Sequence, residues 1–191
     1  MIIGNQTKLY YKKKSWLTPK HPLYFEEEEF KIYYASAVMI HAEKNQSMPP
    51  EQNYELERLL HHGLDLNAGQ MARVLKKAAD PGEVLDYLYS HTDLGMKRYL
   101  LMLDLYNISS EEELSRQETD NLWLFAHMLE IPEKYMRLFE HFIHGARKEN
   151  EGECRRIFAM MTECKIELSL MELKYYLSLI HISEPTRRTP I

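Results

Sequence analysis

The histidines and acids just before Gly145 are the residues of this chain whose spacing best suits metal or acid–base chemistry. His141 and His144 are three residues apart, and Glu140 lies four residues before His144. On a helix, side chains three and four residues apart lie on one face, where imidazole and carboxylate groups can bind a transition metal. The two histidines also flank an apolar stripe of the same segment. We therefore expect a surface-facing pair instead of a metal site.

Asp104 interrupts the apolar run YLLMLDLY and is the acid that we expect to be partly buried. The simplest interpretation is a carboxylate at a helix edge that reaches solvent or the side chain of a lysine or arginine. The alternative is a helical enzyme whose pocket is assembled from His62, His127, Asp104 or His141 as acids and bases. The sequence contains no GxxxxGK[ST], GxGxxG, GxSxG or HExxH motif, so phosphate loops, nucleophile elbows and zinc proteases have no support.

The elements that must position these residues are helices. From Glu26 to Tyr176 apolar residues recur three and four positions apart, and no stretch alternates with period two. The sequence therefore predicts an all-α bundle of about eight helices. Three helix starts carry local signals: Asn67, the pair Asp80–Pro81, and Ser115 with a glutamate three residues later. Residues 152–176 are predicted to form one final helix.

Charge divides the chain into two parts. The net charge of the 191 residues is −5, yet residues 1–20 hold five lysines and no acid, and residues 21–176 carry a net charge of −11. This length suits one domain. Residues 1–24 are expected to form a basic irregular arm. Its run LYYKKKSW interleaves aromatic residues with lysines, so attachment to nucleic acid is an alternative hypothesis. The acidic body opposes nucleic acid and favours cations or basic partners.

The two cysteines bear on the redox environment of the protein. Cys154 and Cys164 are ten residues apart on one predicted helix, roughly 15 Å at 1.5 Å per residue, which is farther than a disulfide spans. Two unpaired thiols suit a reducing environment. The sequence shows neither a signal peptide nor an apolar stretch long enough to cross a membrane. We therefore expect a cytoplasmic protein.

The last residues have a separate origin in our interpretation. Residues 177–187, LSLIHISEPTR, resemble the translation of a transposase adapter used in sequencing libraries. We expect residues 177–191 to be a scar, and we exclude them from the fold prediction. On this interpretation the natural sequence is interrupted near Tyr176.

An internal repeat is present at a constant sequence offset. LLHHGLDLNAGQM, residues 59–71, aligns with LFAHMLEIPEKYM, residues 124–136, and the same offset places Tyr34 on Tyr99. The repeat predicts two similar three-helix units, about residues 26–78 and 93–144, followed by a final helix. Chance similarity between two helical hairpins is the alternative.

The two units resemble the TerB-like (tellurite-resistance B) family. The segments that carry the resemblance are AEKNQSMPPEQNYELERLLHHGLDL, residues 42–66, and LYNISSEEELSRQETDNLWLFAHMLEI, residues 105–131. The resemblance spans about residues 26–143. It implies a pseudo-two-fold helical bundle with a negatively charged surface, which binds metal ions or partner proteins in stress responses and is not a catalyst. The chain departs from the family where Glu43–Lys44 and Asn107–Ile108 replace its Asp-Gly pairs.

The resemblance also implies a candidate cation site. Glu43, Glu51 and Glu118 stand at or beside the family's acidic positions, and with Asp104 they form a possible oxygen-ligand set for Ca²⁺ or Mg²⁺. Clustered acids also form solvated faces, so this alternative stays open. The predicted function is a non-catalytic binding module whose acidic surface takes a protein partner or a divalent cation. The oligomeric state is left open.

Overall fold

The computed structural model describes residues 19–43, 50–91, 95–109, 114–148 and 150–178, and within these ranges the chain forms nine α-helices and no strand. The predicted all-α bundle is confirmed. In chain order the helices are α1 Glu28–Glu43, α2 Pro50–Glu57, α3 Ala68–Ala78, α4 Pro81–His91, α5 Met96–Asn107, α6 Arg116–Met128, α7 Glu133–Arg147, α8 Glu151–Glu163 and α9 Leu170–Ser178. A π-helical segment, Arg58–Gly63, continues α2.

Helices α1 and α5 form the centre of the bundle. The run Ile32–Val38 of α1 and the run Tyr99–Tyr106 of α5 are buried without interruption. A helix buried on all sides must be covered by neighbours on all sides. α1 packs against α3, α4 and α5, while α5 packs against α6 and α7. The two helices therefore supply the inner walls of a single apolar core.

The helices recur at the offset that the sequence repeat predicts. That offset places Ala68, the first residue of α3, on Glu133, the first residue of α7, and it places Gly63 on Met128, each the last residue of a helical segment. The packing recurs too, because α1 contacts α3 as α5 contacts α7. A fourth helix extends each unit, since α4 packs on α3 and α8 packs on α7.

Three helix ends share an unusual backbone conformation. Asp65, Glu130 and Lys165 have φ angles of 60°, 54° and 58°, in the left-handed region that usually selects glycine. Each is followed by a buried apolar residue whose N–H bonds back into the preceding helix: Leu66 to Leu60 O, Ile131 to Ala126 O and Ile166 to Met161 O. The buried side chain holds the left-handed residue in place. The first two positions are again equivalent in the repeat.

The prediction of one final helix over residues 152–176 is wrong. The chain turns at Lys165, and the N–H of Ser169 then donates to the carboxylate of Glu172 at 2.6 Å, which is half of a capping box at the start of α9. This serine–glutamate spacing was the signal that the sequence interpretation missed. Cys154 is buried in α8 and Cys164 follows its last residue, and both are free thiols, as predicted.

The three predicted helix starts are confirmed. The Asn67 side chain accepts a hydrogen bond from the Gln70 N–H at 3.0 Å, and the Ser115 hydroxyl accepts one from the Glu118 N–H at 3.2 Å. In each pair the later side chain accepts a hydrogen bond from the backbone N–H of the capping residue. The Oδ1 atom of Asp80 accepts a hydrogen bond from an N–H of the first turn of α4 at 3.2 Å. These bonds satisfy amides that have no partner inside their own helices.

The ends of the chain fall mostly outside the described residues. The described residues do not include residues 1–18 of the basic arm or residues 179–191 of the adapter-like tail. Residues 19–25 form irregular turns, and Leu177 of α9 packs half-buried against the core. In the part of the chain that is described, no helix has the length and apolarity needed to cross a membrane.

Candidate functional site: a buried aspartate cluster and an open cleft

Asp104 lies at the centre of a buried polar cluster. Its side chain is 1% exposed, and its oxygens accept hydrogen bonds from the hydroxyls of Tyr34 at 2.5 Å and Tyr176 at 2.9 Å. Nε2 of His21 lies 3.0 Å from Oδ2, close enough for electrostatic attraction but poorly aligned for a hydrogen bond. Asp104 is buried more completely than expected. The expectation that it reaches solvent or a lysine or arginine is wrong, because two tyrosines and a histidine surround it.

The protonation states in this cluster follow from burial and from the bonds made. Burial, and secondly the negative charge of Asp104, raise the pKa of Tyr34 and of Tyr176 well above the usual range. Both phenols therefore stay protonated and donate hydrogen bonds to the carboxylate. Nδ1 of His21 accepts the N–H of Leu23 at 3.1 Å, so the imidazole proton is on Nε2, beside Asp104. A buried carboxylate surrounded by protons in this way is stabilised without a formal cation.

His21 reaches the cluster from the irregular segment before α1, which the sequence interpretation assigned to the arm. Its backbone N–H bonds to the Gly63 carbonyl at 3.3 Å, and its ring meets that of Tyr175 edge-on at 4.9 Å. Lys20 secures the same segment by donating to the carbonyl oxygen of His62 at 3.0 Å. A sequence signal for this packing was Leu23, an apolar residue within the irregular segment, which is also buried.

A second buried polar cluster joins α1 to α6. Nδ1 of His41 pairs with Nδ2 of Asn121 at 2.8 Å, and Nε2 pairs with Oγ of Ser109 at 2.8 Å. The Ser109 hydroxyl donates to the Leu105 carbonyl at 2.7 Å, so it must accept from the histidine. A neutral imidazole with its proton on Nε2 satisfies each of these hydrogen bonds. The cluster therefore connects α1, the end of α5 and α6.

The four residues of the enzyme hypothesis do not converge. Asp104 is sealed inside the core, whereas His127 and His141 are exposed and His62 is half-buried on the π-helical segment. Of the four, His141 lines a cleft. General acid–base catalysis needs groups within hydrogen-bond reach of one substrate. These positions do not provide that arrangement.

The predicted cation ligands also occupy separate environments. Glu43 is exposed at the end of α1, and Glu118 is buried with Oε2 accepting the Ser115 N–H at 2.8 Å. Asp104 is engaged with its tyrosines, and the side chain of Glu51 lies outside the described residues. Searched over the described ranges, the chain has no group of three or more His, Cys, Asp or Glu side chains placed to hold a metal. The two buried acids do not fit a cation site, and the four-residue set stays a prediction.

An open cleft of about 530 Å³ lies between α6 and α7. Its apolar lining includes Tyr106, Trp123 and Met136, and Trp123 remains 43% exposed. His141 is exposed and His144 is half-buried along the same cleft, so the predicted surface-facing pair is where it was expected. The cleft combines an aromatic wall with a polar rim, as protein-binding surfaces do.

The charges in the cleft divide into used and unused groups. The guanidinium of Arg147 lies 3.1, 2.7 and 3.0 Å from the three carbonyl oxygens of Tyr106, Asn107 and Ser109, at the C-terminal end of α5, where a cation is favourable. Arg137 pairs with Glu133 at 3.5 Å on its own helix.

Glu140 differs from these groups. Its carboxylate has no ion-pair partner among the described residues. It lies close enough to Tyr106 that its charge, after the larger effect of burial, raises the pKa of that phenol. The cleft therefore presents one unpaired negative charge near Tyr106, in the same lining as the exposed Trp123.

No family model, curated protein or solved structure matches this chain. The resemblance to the TerB-like family therefore stays a prediction, and the function must be argued from the site.

Proposed function

We propose that this chain is a non-catalytic, TerB-like binding module of the cytoplasm, whose acidic surface binds a basic segment of a partner protein. The observation that carries the proposal is the distribution of carboxylates. Across the described residues, exposed acidic side chains outnumber exposed basic ones, while the buried acids Asp104 and Glu118 are engaged inside the bundle.

The use of the buried polar groups supports binding over catalysis. Asp104 is closed off from solvent by His21, Tyr34 and Tyr176, so it cannot contact a substrate. The His41 cluster joins α1 to the end of α5 and to α6. Both clusters join helices that are distant in sequence, which is a structural role that a stable binding scaffold requires.

The surface charge supports a basic partner. Residues 21–176 carry a net charge of −11, and a field of one sign attracts oppositely charged partners and raises their association rate. Some acids are used internally, since Glu28 and Glu29 both pair with Arg73. The acids that line the α6–α7 cleft include the unused Glu140.

A peptide-display selection tests this function. The full chain is immobilised and used to select from a library of random 12-residue peptides at low salt. We expect the recovered peptides to have a higher net positive charge than the input library, and their binding to weaken steeply at about 0.5 M NaCl because screening shortens the range of surface electrostatics. Recovery of no binders, or of peptides that match the charge of the input library, would contradict the proposal.

A further inference from the structure

We propose that the cleft between α6 and α7 is the binding site, and that its ligand is a partner-protein segment carrying a lysine or arginine beside a bulky apolar residue. This inference rests on the proposed function and specifies both its location and the chemistry of the partner.

The shape of the cleft favours a peptide over a small molecule. Small-molecule sites bury most of their ligand's surface. Here one wall is Trp123, which is 43% exposed, so the cleft leaves much of any ligand in solvent. Its volume of about 530 Å³ suits a few side chains of a segment lying along the two helices. Aromatic residues at the centre of such surfaces commonly supply the main binding contacts.

The charges in the cleft select a cationic side chain. Arg147 contacts the carbonyl oxygens at the end of α5 and Arg137 pairs with Glu133, so neither arginine is paired with Glu140 in this structure. A lysine or arginine entering the cleft would meet this carboxylate and the exposed ring of Trp123. Ion pairing and cation–π attraction then act on the same group.

The apolar lining selects the neighbouring residue. Leu114, which is half-buried, and Trp123, which is 43% exposed, give the cleft apolar surface that is still open to water. A leucine or aromatic side chain adjacent to the cation would remove this surface from water, which adds to the affinity without requiring a unique sequence.

Three labelled amphipathic 12-residue peptides test the proposal by fluorescence anisotropy. They share one leucine pattern and carry lysine, glutamine or glutamate at the polar positions. We expect saturable binding of the lysine peptide, at least tenfold weaker binding of the glutamine peptide and none of the glutamate peptide. In a Trp16→Phe background, Trp123 is the remaining tryptophan, and its emission should shift when the lysine peptide binds.

Variants of the cleft locate the site. Glu140→Gln should weaken binding of the lysine peptide about tenfold and leave the glutamine peptide unchanged, because only the cation loses its partner. Trp123→Ala should weaken both peptides. Two matched controls, Glu163→Gln on α8 and Leu124→Ala on the exposed side of α6, do not line the cleft and should change neither affinity.

Four results would overturn the inference. Equal losses in Glu140→Gln and Glu163→Gln would show diffuse attraction to an acidic surface. An unchanged Trp123 emission at saturation would place the peptide elsewhere. A concentration-dependent dimer that Trp123→Ala abolishes would show that a second copy of the chain occupies the cleft. Display-selected peptides that bind but ignore Glu140→Gln would refute this site and leave the proposed function standing.

Discussion

Nε2 of His21 lies 3.0 Å from Oδ2 of Asp104, with both side chains almost completely removed from solvent. The histidine comes from the segment before α1 and the aspartate from the middle of α5, so this contact fastens the start of the described chain to the centre of the bundle. Tyr34 of α1 and Tyr176 of α9 complete the arrangement. One carboxylate therefore connects four separate parts of the chain.

Replacement of Asp104 should be strongly destabilising. Asp104→Ala leaves the hydroxyls of Tyr34 and Tyr176 buried without their acceptor, and loss of one side of a buried charged network costs about 3–5 kcal/mol. Asp104→Asn keeps one acceptor oxygen and should cost less. Urea unfolding followed by circular dichroism measures both, with the exposed Glu163→Gln as a control expected to stay within about 0.5 kcal/mol. Equal stability of Asp104→Ala and the control would show that the cluster is not structural.

Stability should fall at alkaline pH because of the same tyrosines. The pKa of Tyr34 and of Tyr176 is raised by burial and by Asp104, so the folded state holds protons that the unfolded state releases above about pH 10. Their contribution is complete below that pH. Above it, each tyrosine that stays protonated removes about 1.4 kcal/mol of unfolding free energy per pH unit.

Urea unfolding between pH 9 and pH 11.5 measures this slope. The variant Tyr34→Phe/Tyr176→Phe should have a shallower decline, although its stability at neutral pH is lower. Tyr89 is 54% exposed, so the stability of Tyr89→Phe should fall with pH as steeply as that of the parent chain. A double variant with the parent slope would refute the assignment of the buried phenols.

Gly63 should not tolerate a side chain. A Cβ atom there would lie 2.9 Å from Oη of Tyr175 and 3.2 Å from Cβ of His21, and crowding of a packed core costs about 1–3 kcal/mol. Gly152, in the first turn of α8, is the matched control, because its nearest atom would be Oδ1 of Asn150 at 3.7 Å. Gly152→Ala should be neutral or stabilising by up to about 1 kcal/mol. Similar melting temperatures for the two alanine variants would contradict the close approach at Gly63.

Glu130→Gly should stabilise the fold. Glu130 has a φ angle of 54°, and a residue with a Cβ atom costs about 1 kcal/mol more than glycine in this region. Its own contact, 3.4 Å to the exposed Tyr89 hydroxyl, is weak. Asp65→Gly, at the equivalent position of the first unit, should gain less, because Asp65 pairs with Lys20 at 3.7 Å and also accepts from Tyr24 at 3.4 Å. Thermal melting distinguishes these outcomes, and a lower melting temperature for Glu130→Gly would contradict the argument.

Calcium and magnesium should leave the melting temperature within about 1 °C up to 10 mM. Asp104 and Glu118 are engaged in internal bonds, so a cation would have to disrupt the core to reach them. A cation present at one hundred times the dissociation constant of its site would instead add about 2.7 kcal/mol to the free energy of unfolding. A rise in melting temperature that Glu43→Gln and Glu51→Gln abolish would restore the predicted cation site.

The sequence by itself determined the helices and most of their starts. A capping residue and its amide are three positions apart, as at Asn67 and Ser115, and the apolar spacing of α1 or α7 is equally local. The internal repeat was also visible, because equivalent helices keep equivalent apolar patterns. The break at Lys165 was missed because one of its causes, the burial of Ile166, depends on tertiary packing, although the Ser169–Glu172 capping signal that follows is local.

Only the tertiary structure decided which polar groups are sealed and which are available. Asp104 was visible as an unusual acid, but its partners Tyr34, Tyr176 and His21 come from three distant segments, and no local spacing relates them. The unused charge of Glu140 has the same origin, because it depends on Arg147 being held by the end of α5. Local sequence fixes hydrogen bonds within a helical turn. The burial of charge depends on which helices meet, and packing of the whole core decides that.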